Sequence, residues 1–300
     1  MSERNIDATR AYGFGVGLVV LGGLILSTNG IMLRSLEAAD GWQVLSFRGA
    51  AFTVALFLIL CIRYRSNTPR AFRAIGRRGL LAALVLGLGS CSYVFALMHT
   101  TIANAVFIIG AAPLATAAVA WLVLRERTSM GGVVSMLVAM GGIGLMFADG
   151  MIAGRWFGNV MALLVVASFV VYLLILRTCR DVDMLPATCL GGVVMAACGI
   201  LGADTLSVST HDLMIAATMG CVQFLIGFMC FTVATRYILA SEVALYALSE
   251  SIFAPVWVWI GVGEVPSPLT LIGSAVVLIS VVFYCLMTIA RERAQQGESG

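Results

Sequence analysis

Long stretches without a charged side chain restrict the fold of this chain more than any other feature of its sequence. The longest is the run of 46 residues between Arg78 and Arg125. A bilayer core about 30 Å thick needs roughly 20 apolar residues in one helix, so this run is long enough for two helices. Charged residues make up 11% of the chain, against about 25% in soluble domains, so most of its surface must face lipid.

Ten membrane-spanning helices account for these stretches. The polar triplet His99 to Thr101 interrupts the longest run and predicts a tight helical hairpin there. Two segments qualify only if charges are admitted: residues 42–62, with Arg48, and residues 241–262, with Glu242 and Glu250. The other single spans are residues 11–33, 128–148, 156–176, 184–203, 213–235 and 265–290. We therefore expect an all-α membrane protein.

The positions of the arginines predict the orientation of the chain in the membrane. All 18 basic residues are arginine, and fifteen of them are cytoplasmic if the N-terminus is inside. Only Arg34 and Arg155 are then external, and Arg48 lies within the membrane. Since cytoplasmic loops carry an excess of positive residues, we expect both termini in the cytoplasm. No small-residue cleavage site follows the first apolar run, so we expect a retained helix rather than a signal peptide.

The chain also shows signs of an internal duplication. At an offset of 138 residues, without gaps, helix three falls on helix eight and helix four on helix nine. The matched identities are Gly89 with Gly227, Ala96 with Ala234, Trp121 with Trp259 and Glu126 with Glu264. Two five-helix repeats are therefore predicted, residues 12–148 and 156–288. Because five is odd, the second repeat must enter the membrane from the opposite side, as in many secondary transporters.

Four short motifs resemble those of a known family. They are Ser27-Thr28-Asn29-Gly30 in the first helix, Arg48 in the second, Arg125-Glu126-Arg127-Thr128 after the fourth and Gly263-Glu264 after the ninth. Over residues 12–287 the chain resembles the EamA domains, the ten-helix branch of the drug/metabolite transporter superfamily. Within that branch it is similar to the YddG-like aromatic amino-acid exporters.

The resemblance carries expectations about function and one departure. It implies a secondary transporter in the bacterial inner membrane that exports small metabolites, and the YddG-like similarity implies aromatic amino acids. In the family a Glu-Pro pair precedes the Gly-Glu turn. Here the first half has Ala112-Pro113 and the second has Glu250-Ser251, so each half keeps one member of the pair.

Glu250 is the acid expected to lie closest to the bilayer midplane. Nine residues into a helix that starts at Ser241, it would lie roughly 14 Å deep at 1.5 Å per residue. A carboxylate at that depth must be protonated, paired or hydrated. It would therefore serve as a proton site or as the partner of a substrate ammonium; the alternative is a structural hydrogen bond to a neighbouring helix.

One face of the same predicted helix combines acids with aromatic rings. Glu242, Tyr246, Glu250, Phe253 and Trp257 follow one another at intervals of three or four residues. A face with two acids does not point to lipid, so we expect it to point inward. Tyr246 and Trp257 would stack on an aromatic solute, or they would simply fill the core of the bundle. Glu242 is better explained by interaction with the dipole of its helix.

Arg48 and two prolines are candidates for gating or structural roles. We expect Arg48 to form an ion pair with Asp40 or Glu37, although snorkelling and direct substrate contact are alternatives. Pro113 and Pro255 fall in the matched helices four and nine, and interrupted helices in corresponding positions are typical of a central site and hinge. A kink absorbed by packing is the competing explanation.

The remaining candidates for substrate contact are polar residues inside predicted spans. They are Asn29, Ser92, Tyr93, Ser168, Tyr172 and Gln223, which join Tyr246, Glu250 and Trp257. Serines in membrane helices more often let helices approach closely than bind solutes. For Asn29 and Gln223 this alternative is weaker, because an amide needs several partners that hydrocarbon does not supply.

Enzymatic chemistry has no support in the sequence. It contains no Walker loop, Rossmann fingerprint, HExxH motif or nucleophile elbow. His99 and His211 lie in predicted external loops and form no metal site, so we expect neither metal nor cofactor. A basic stripe with interleaved aromatics is also missing, so no nucleic-acid partner is expected. The expected partners are the lipid bilayer and a small-molecule substrate, bound by a monomer.

The function predicted best is export of aromatic and other neutral amino acids by alternating access. One midplane acid, no lysine and one embedded arginine suit a zwitterion or a mildly cationic aromatic solute. They suit nucleotide sugars poorly, because a diphosphate needs several cations. Two alternatives remain: a proton-coupled antiporter of drugs or cationic metabolites, and a membrane scaffold or sensor that transports nothing. A channel is disfavoured because no ring of charged residues is visible.

Overall fold

The computed structural model describes residues 3–124, 130–179, 182–234, 237–238, 243 and 246–298. Within these ranges every regular element is a helix. The helices are α1 (Glu3–Ser27), α2 (Asn29–Arg34), α3 (Gly41–Tyr64), α4 (Thr68–Ala74), α5 (Gly76–His99), α6 (Ile102–Gly110), α7 (Ala112–Leu124), α8 (Met130–Ile152), α9 (Trp156–Thr178), α10 (Leu185–Gly202), α11 (Thr210–Thr218), α12 (Leu225–Ala234), α13 (Ser249–Val262) and α14 (Pro268–Glu298). A π-helical segment, Met219–Phe224, joins α11 to α12.

Eight helical stretches in the described part of the chain are long and apolar enough to cross a membrane. They are Ala11–Arg34, Gly41–Ala74, Gly76–His99, Met130–Ile152, Trp156–Leu176, Leu185–Gly202, Thr210–Phe231 and Pro268–Met287. Two shorter apolar helical stretches are Ile102–Thr116 and Ser249–Val262. The expectation of an all-helical, multi-pass membrane protein is confirmed. The count of ten spans and the inverted repeats stay predictions.

Interruptions divide three helices that the sequence predicted as continuous. Thr28 separates α1 from α2, Ala111 separates α6 from α7, and a turn at Leu248 precedes α13. Pro113 is consequently the second residue of α7 and not a mid-helix residue. Glu250 lies in the first turn of α13 rather than nine residues into a longer helix.

The chemistry of proline explains part of this difference. Proline has no N–H to donate, and only the first turn of a helix tolerates this without losing a hydrogen bond. A helix that restarts at Ala112 places Pro113 in its first turn. Pro255 lies inside α13, as predicted. Ser241, Glu242 and the motif at residues 125–128 lie outside the described residues.

The chain divides into two compact units. The first comprises Met1–Ile31, Ile102–Ala153 and Ile226–Gly300, and the second comprises Met32–Thr101 and Gly154–Leu225. Each unit draws helices from both halves of the sequence, so the units are not the two predicted repeats. The repeats at residues 12–148 and 156–288 therefore stay a prediction.

In the second unit, α10 packs against both α3 and α5, and α9 packs against α5. A Cβ atom at Gly49 would lie 2.5 Å from the backbone nitrogen of Ala196, so only glycine lets α3 approach α10 this closely. Phe52, Leu60 and Cys189 belong to the apolar cluster that fills the space beside this contact. The packing holds α3, which carries Arg48, in a fixed position.

In the first unit, α14 packs along α8, and α13 packs against α1 and α6. A Cβ atom at Gly142 would lie 2.8 Å from the carbonyl oxygen of Gly273, which shows how closely α8 and α14 approach. A methyl group at Gly23 would overlap the Ser249 Oγ at the start of α13. Glycine at position 23 therefore lets α1 pack closely against the start of α13.

Candidate functional site

Arg48 is a buried charged side chain of the second unit that lies among aromatic rings. It is 2% exposed. Its guanidinium carbon lies 5.4 Å from the centre of the Tyr93 ring on α5 and 5.4 Å from the centre of the Phe224 ring in the π-helical segment. A desolvated contact of this kind contributes about 2 kcal/mol or more. The structure thus brings together two predicted site residues, Arg48 and Tyr93.

The π-helical segment positions Phe224 in this cluster. A Cβ atom at Gly220 would overlap the carbonyl oxygen of Arg48 and would lie 3.0 Å from the backbone nitrogen of Phe52. The π-helical geometry shifts the register of the side chains that follow, and single π-helical turns often occur at functional sites. Gln223, a predicted site residue, is 2% exposed in the same segment.

Sequence reasoning missed Phe224 for an identifiable reason. The four-residue spacing of an α-helix places Gln223 on one face with Gly227 and so does not relate Phe224 to that face. The segment Met219–Phe224 does not follow that spacing. A polar residue and a glycine inside an apolar span were the available signals, and they do not reveal a π-helical segment.

The cluster of Arg48, Tyr93 and Phe224 has the groups needed to bind a carboxylate and to stack on an aromatic ring. A guanidinium offers a rigid fork of donors that matches a carboxylate, and aromatic faces stack on other rings. The predicted partner Asp40 has a different role, since its side chain accepts from the backbone N–H of Gln43 at 2.8 Å and caps α3. We call this three-residue group the arginine cluster.

Three other predicted residues of the second unit form local hydrogen bonds or pack against a neighbouring helix. The Ser92 hydroxyl donates to the carbonyl oxygen of Leu88 at 3.1 Å. Ser168 packs against Gly89, where a Cβ atom would lie 2.8 Å from the serine Cβ. Tyr172 is 2% exposed in an apolar cluster, and its hydroxyl lies 3.0 Å from that of Thr188. These geometries favour packing roles, and substrate contact by these residues stays a prediction.

In the first unit, Phe253 and Trp257 of the predicted aromatic face lie on α13, whereas Tyr246 precedes the turn at Leu248. The rings of Phe253 and Trp257 are stacked, with centres 6.3 Å apart. The indole Nε1–H of Trp257 donates to the Ser27 hydroxyl at 2.9 Å, which ties α13 to the break between α1 and α2. Tyr246 packs in an apolar cluster, and its hydroxyl lies 3.4 Å from that of Tyr12.

The break between α1 and α2 is stabilised by three consecutive side chains. Ser27, Thr28 and Asn29 donate to the carbonyl oxygens of Leu24, Ile25 and Leu26 at 2.7, 2.7 and 2.9 Å. In hydrocarbon a carbonyl oxygen freed by a helix break has no water to bind, so side chains must satisfy it. This explains the chemistry of the motif at residues 27–30.

Two of the three interrupted helices of the first unit meet close to their breaks. The Ser251 hydroxyl donates to the carbonyl oxygen of Val106 at 3.2 Å, which joins α13 to α6. A Cβ atom at Gly110 would lie 3.0 Å from the Ser251 Oγ. The number of residues between the breaks at Ala111 and Leu248 agrees, to within one residue, with the 138-residue offset of the predicted repeat.

The Gly-Glu motif after α13 has a structural role in the same unit. Gly263 has a φ of +71°, the left-handed geometry with which many helices end. Glu264 then accepts a hydrogen bond from the backbone N–H of Ile102 at 2.8 Å, at the start of α6. A negative charge at a helix N-terminus is favourable, so the motif joins the end of α13 to the beginning of α6.

Asp212, a buried acid that sequence reasoning did not single out, accepts backbone hydrogen bonds. Its two oxygens accept from the N–H groups of Glu37, Ala38 and Ala39 at 2.9 to 3.1 Å. Glu37, His211 and Asp212 form the group of potential metal ligands found among the described residues, with ligand atoms within 4.8 Å of one another. Because both Asp212 oxygens already hold the loop before α3, this group is explained by its structural contacts.

These observations define a class, the all-helical multi-pass membrane proteins with interrupted helices. The model of the EamA-like transporter family matches residues 13–148 and residues 156–286. Because these matches cover most of the sequence, the chain belongs to the EamA-like transporter family, whose members are transporters rather than enzymes.

No curated protein matches the chain significantly. The chain is similar to a protein of known crystal structure with a TM-score of 0.60 and 16% sequence identity, over 92% of this chain and 98% of that one. At this identity the similarity shows the fold alone.

Proposed function

We propose that this transporter exports aromatic and other neutral amino acids across the inner membrane of a bacterium, by alternating access and as a monomer. The observation that carries the proposal is the arginine cluster of the second unit. Arg48 lies in a membrane span, 2% exposed and 5.4 Å from the centres of two aromatic rings. An aromatic amino acid has the two complementary groups, a carboxylate and a ring.

The charges of the cluster favour a substrate with a single carboxylate. One guanidinium forms two parallel hydrogen bonds with one carboxylate, whereas a diphosphate needs several cations. The rings of Tyr93 and Phe224 supply the faces on which an aromatic side chain stacks. Neutral amino acids with smaller side chains would use the guanidinium alone and would therefore bind more weakly.

The interrupted helices of the first unit support a transport cycle by alternating access. Secondary transporters with inverted repeats place discontinuous helices around their solute sites. Here Pro113 follows the break between α6 and α7, and Pro255 lies inside α13 shortly after the turn at Leu248. We assign both prolines to hinges, because Pro113 has no N–H with which α6 and α7 would form one continuous helix, and Pro255 has none to donate inside α13.

The proposal also includes the other predicted substrate contacts. Tyr246 and Trp257 form hydrogen-bonding contacts with Tyr12 and Ser27 inside the first unit. Ser92 donates within its own helix, and Ser168 and Tyr172 pack against neighbouring helices of the second unit. The proposal keeps Gln223 as a contact because a buried amide offers both donors and acceptors.

A proton-coupled antiporter is the second candidate, and Glu250 is the observation that favours it. Its carboxylate lies in the first turn of α13, a short apolar helix inside the predicted span of residues 241–262, and a titratable acid is rarely retained within a membrane without a function. In that case the pH gradient would drive transport, and Glu250→Gln would abolish the dependence of the transport rate on that gradient. Uptake without a gradient would contradict coupling.

Reconstitution in liposomes tests the proposal. We expect purified protein to exchange radiolabelled tryptophan and phenylalanine faster than threonine, and a cationic dye more slowly than any of them. Arg48→Gln should raise KM for the aromatic amino acids at least tenfold, because one hydrogen-bonded charge pair contributes about 1.5–3 kcal/mol. Arg48→Lys should rescue only part of this loss, because an ammonium lacks the planar fork.

Arg63 offers a matched control for this experiment. Its guanidinium also lies over an aromatic ring, 5.5 Å from the centre of Tyr64, but its side chain is 55% exposed and pairs with Asp183 at 2.9 Å. Arg63→Gln should leave KM within about twofold, since exposed ion pairs contribute little. Equal effects of both arginine variants would contradict a substrate role for Arg48. A wild-type protein that moves none of the solutes would favour a scaffold or sensor.

A further inference from the structure

Five exposed arginines follow one another between the end of α3 and the first turn of α5. They are Arg65, Arg70, Arg73, Arg77 and Arg78. Residues 65–78, which we call the basic segment, contain no acidic residue. Arg77 and Arg78 lie in the first turn of α5, where the helix dipole disfavours a positive charge. Their position therefore calls for a nearby negative charge.

The protein itself balances little of the charge of the basic segment. Arg65, Arg73 and Arg77 form no ion pair with any residue in the described part of the chain. A nitrogen of the Arg70 guanidinium lies 3.4 Å from the amide oxygen of Asn67, which is neutral. The basic segment is thus a surface of net positive charge, and an anionic partner would neutralise it.

Apolar contacts hold the basic segment against the second unit. Its helix, α4, packs against α3 and α10. Phe72 of α4 packs on the apolar cluster that contains Leu60 and Cys189. Ile75, at the end of α4, is 5% exposed. These two apolar side chains lie on either side of Arg73 in the sequence, so the arginines are held in place and do not belong to a freely solvated loop.

Exposed apolar side chains border the basic segment on both sides. Ile62 is 77% exposed and Leu80 is 56% exposed. They belong to the stretches Gly41–Ala74 and Gly76–His99, which are long and apolar enough to cross a membrane. Such side chains face hydrocarbon, so the arginines between them lie at the level of the lipid headgroups. In the predicted orientation these headgroups belong to the cytoplasmic leaflet.

We propose that the basic segment is a docking surface for the headgroups of anionic phospholipids. A guanidinium binds one phosphate through two parallel hydrogen bonds, and the cytoplasmic leaflet carries a negative surface potential. Each arginine near such a surface strengthens the association about fivefold. Nucleic acid is a poorer match, because bases stack on exposed aromatic rings and the ring of this segment, Phe72, packs on the apolar cluster.

Two double variants remove the same charge from different places. Arg70→Gln with Arg73→Gln neutralises the arginines of α4, and glutamine is a good helix former, so α4 should still fold. Arg34→Gln with Arg155→Gln is the matched control, because it neutralises the two arginines that the sequence predicts on the external side. Arg70→Lys with Arg73→Lys keeps the charge of α4 and changes only the geometry of the donors.

The experiment measures the dissociation constants of fluorescent phosphatidylglycerol and phosphatidylcholine for the detergent-solubilised full-length protein. We expect the wild type to prefer phosphatidylglycerol at least tenfold at about 0.1 M salt, and to lose most of this preference at about 0.5 M, because salt screens exposed charges. The glutamine variant of α4 should bind phosphatidylglycerol about 25-fold more weakly, two arginines at about fivefold each. Its affinity for phosphatidylcholine should stay within about twofold of the wild type, since that headgroup carries no net charge.

The other variants separate a local surface from overall charge. The control at residues 34 and 155 should bind phosphatidylglycerol within about twofold of the wild type, and the lysine variant within about threefold. Equal affinity of the wild type for both lipids would overturn the proposal, and so would equal losses in the two glutamine variants. Tighter binding of a single-stranded oligonucleotide than of phosphatidylglycerol would assign the surface to nucleic acid and also overturn it.

The test stays decisive if the glutamine variant of α4 does not fold. The preference of the wild type for phosphatidylglycerol, its loss at high salt and its retention in the lysine variant then support the proposal. A wild-type preference that salt does not change would contradict it, because a contact between arginines and headgroups at an exposed surface is screened. None of these measurements requires transport, so the outcome is independent of the proposed function.

Discussion

The carboxylate of Glu264 accepts a hydrogen bond from the backbone N–H of Ile102 at 2.8 Å. Glu264 follows α13 in the sequence, and its carboxylate caps the N-terminus of α6. The first N–H groups of a helix have no partner within it, and in or near a membrane such groups are expensive to leave unsatisfied. The Gly-Glu motif therefore has a structural function that its sequence alone does not reveal.

We expect Glu264→Ala to lower the free energy of unfolding by about 1–2 kcal/mol, the usual range for a lost helix cap. Glu264→Gln should cost less, because the amide oxygen still accepts the bond while the charge is lost. Thermal unfolding of the detergent-solubilised protein measures both effects. Glu37→Ala, which removes an acid whose side chain is 63% exposed, is the control and should shift stability by less than about 0.5 kcal/mol.

Two glycines of α1 should respond very differently to the same substitution. A side chain at Gly23 would overlap the Ser249 Oγ, whereas a Cβ atom at Gly17 would meet nothing within 4 Å. Gly23→Leu should therefore separate α1 from α13 and lower stability by about 1–3 kcal/mol, the range for overpacking. Gly17→Leu should have little effect on the melting temperature. Equal melting temperatures of the two variants would show that α1 and α13 do not need this close approach.

The hydrogen bond between Trp257 and Ser27 can be isolated by a double-mutant cycle. Trp257→Phe removes the donor and keeps an aromatic ring, and Ser27→Ala removes the acceptor. We expect a coupling energy of about 0.6 kcal/mol, with an upper limit near 1.7 kcal/mol for a hydrogen bond between membrane helices. Unfolding in a denaturing detergent gives the four free energies. If the effects of the two single substitutions on the free energy of unfolding are strictly additive, the hydrogen bond does not contribute to stability.

Phe224 should affect substrate affinity although the sequence did not single it out. Phe224→Leu removes the aromatic ring whose centre lies 5.4 Å from the guanidinium carbon of Arg48. We expect KM for tryptophan to rise roughly five- to thirtyfold, from the loss of about 1–2 kcal/mol. Phe72→Leu is the control, because Phe72 contacts Phe57 outside the arginine cluster. A KM unaffected by Phe224→Leu would remove the rings from the proposed site.

The orientation predicted from the arginines can be tested with fusions at the C-terminus. Fifteen of 18 arginines are cytoplasmic if the N-terminus is inside. We therefore expect a C-terminal green fluorescent protein to fluoresce and a C-terminal alkaline phosphatase to stay inactive, since the phosphatase folds only outside the cytoplasm. An active phosphatase fusion would contradict the predicted orientation.

The sequence was sufficient for the class of protein. Its uncharged stretches predicted an all-helical membrane protein, because a helix that satisfies its own backbone is the economical way to cross hydrocarbon. The motifs at residues 27–30 and 263–264 indicated the family that the family model then matched. These conclusions depend on local composition and short motifs, which need no knowledge of tertiary contacts.

The tertiary structure decided which residues meet and where the helices break. Arg48 and Tyr93 were predicted separately, but only packing of α3 against its neighbours placed the guanidinium over two rings, and the second ring depends on a π-helical segment that periodicity does not reveal. Glu250 moved from the interior of a predicted helix to the first turn of α13. Hydropathy records how apolar a stretch is but not whether its hydrogen bonds continue, and that continuity depends on the side chains and helices that satisfy each freed carbonyl.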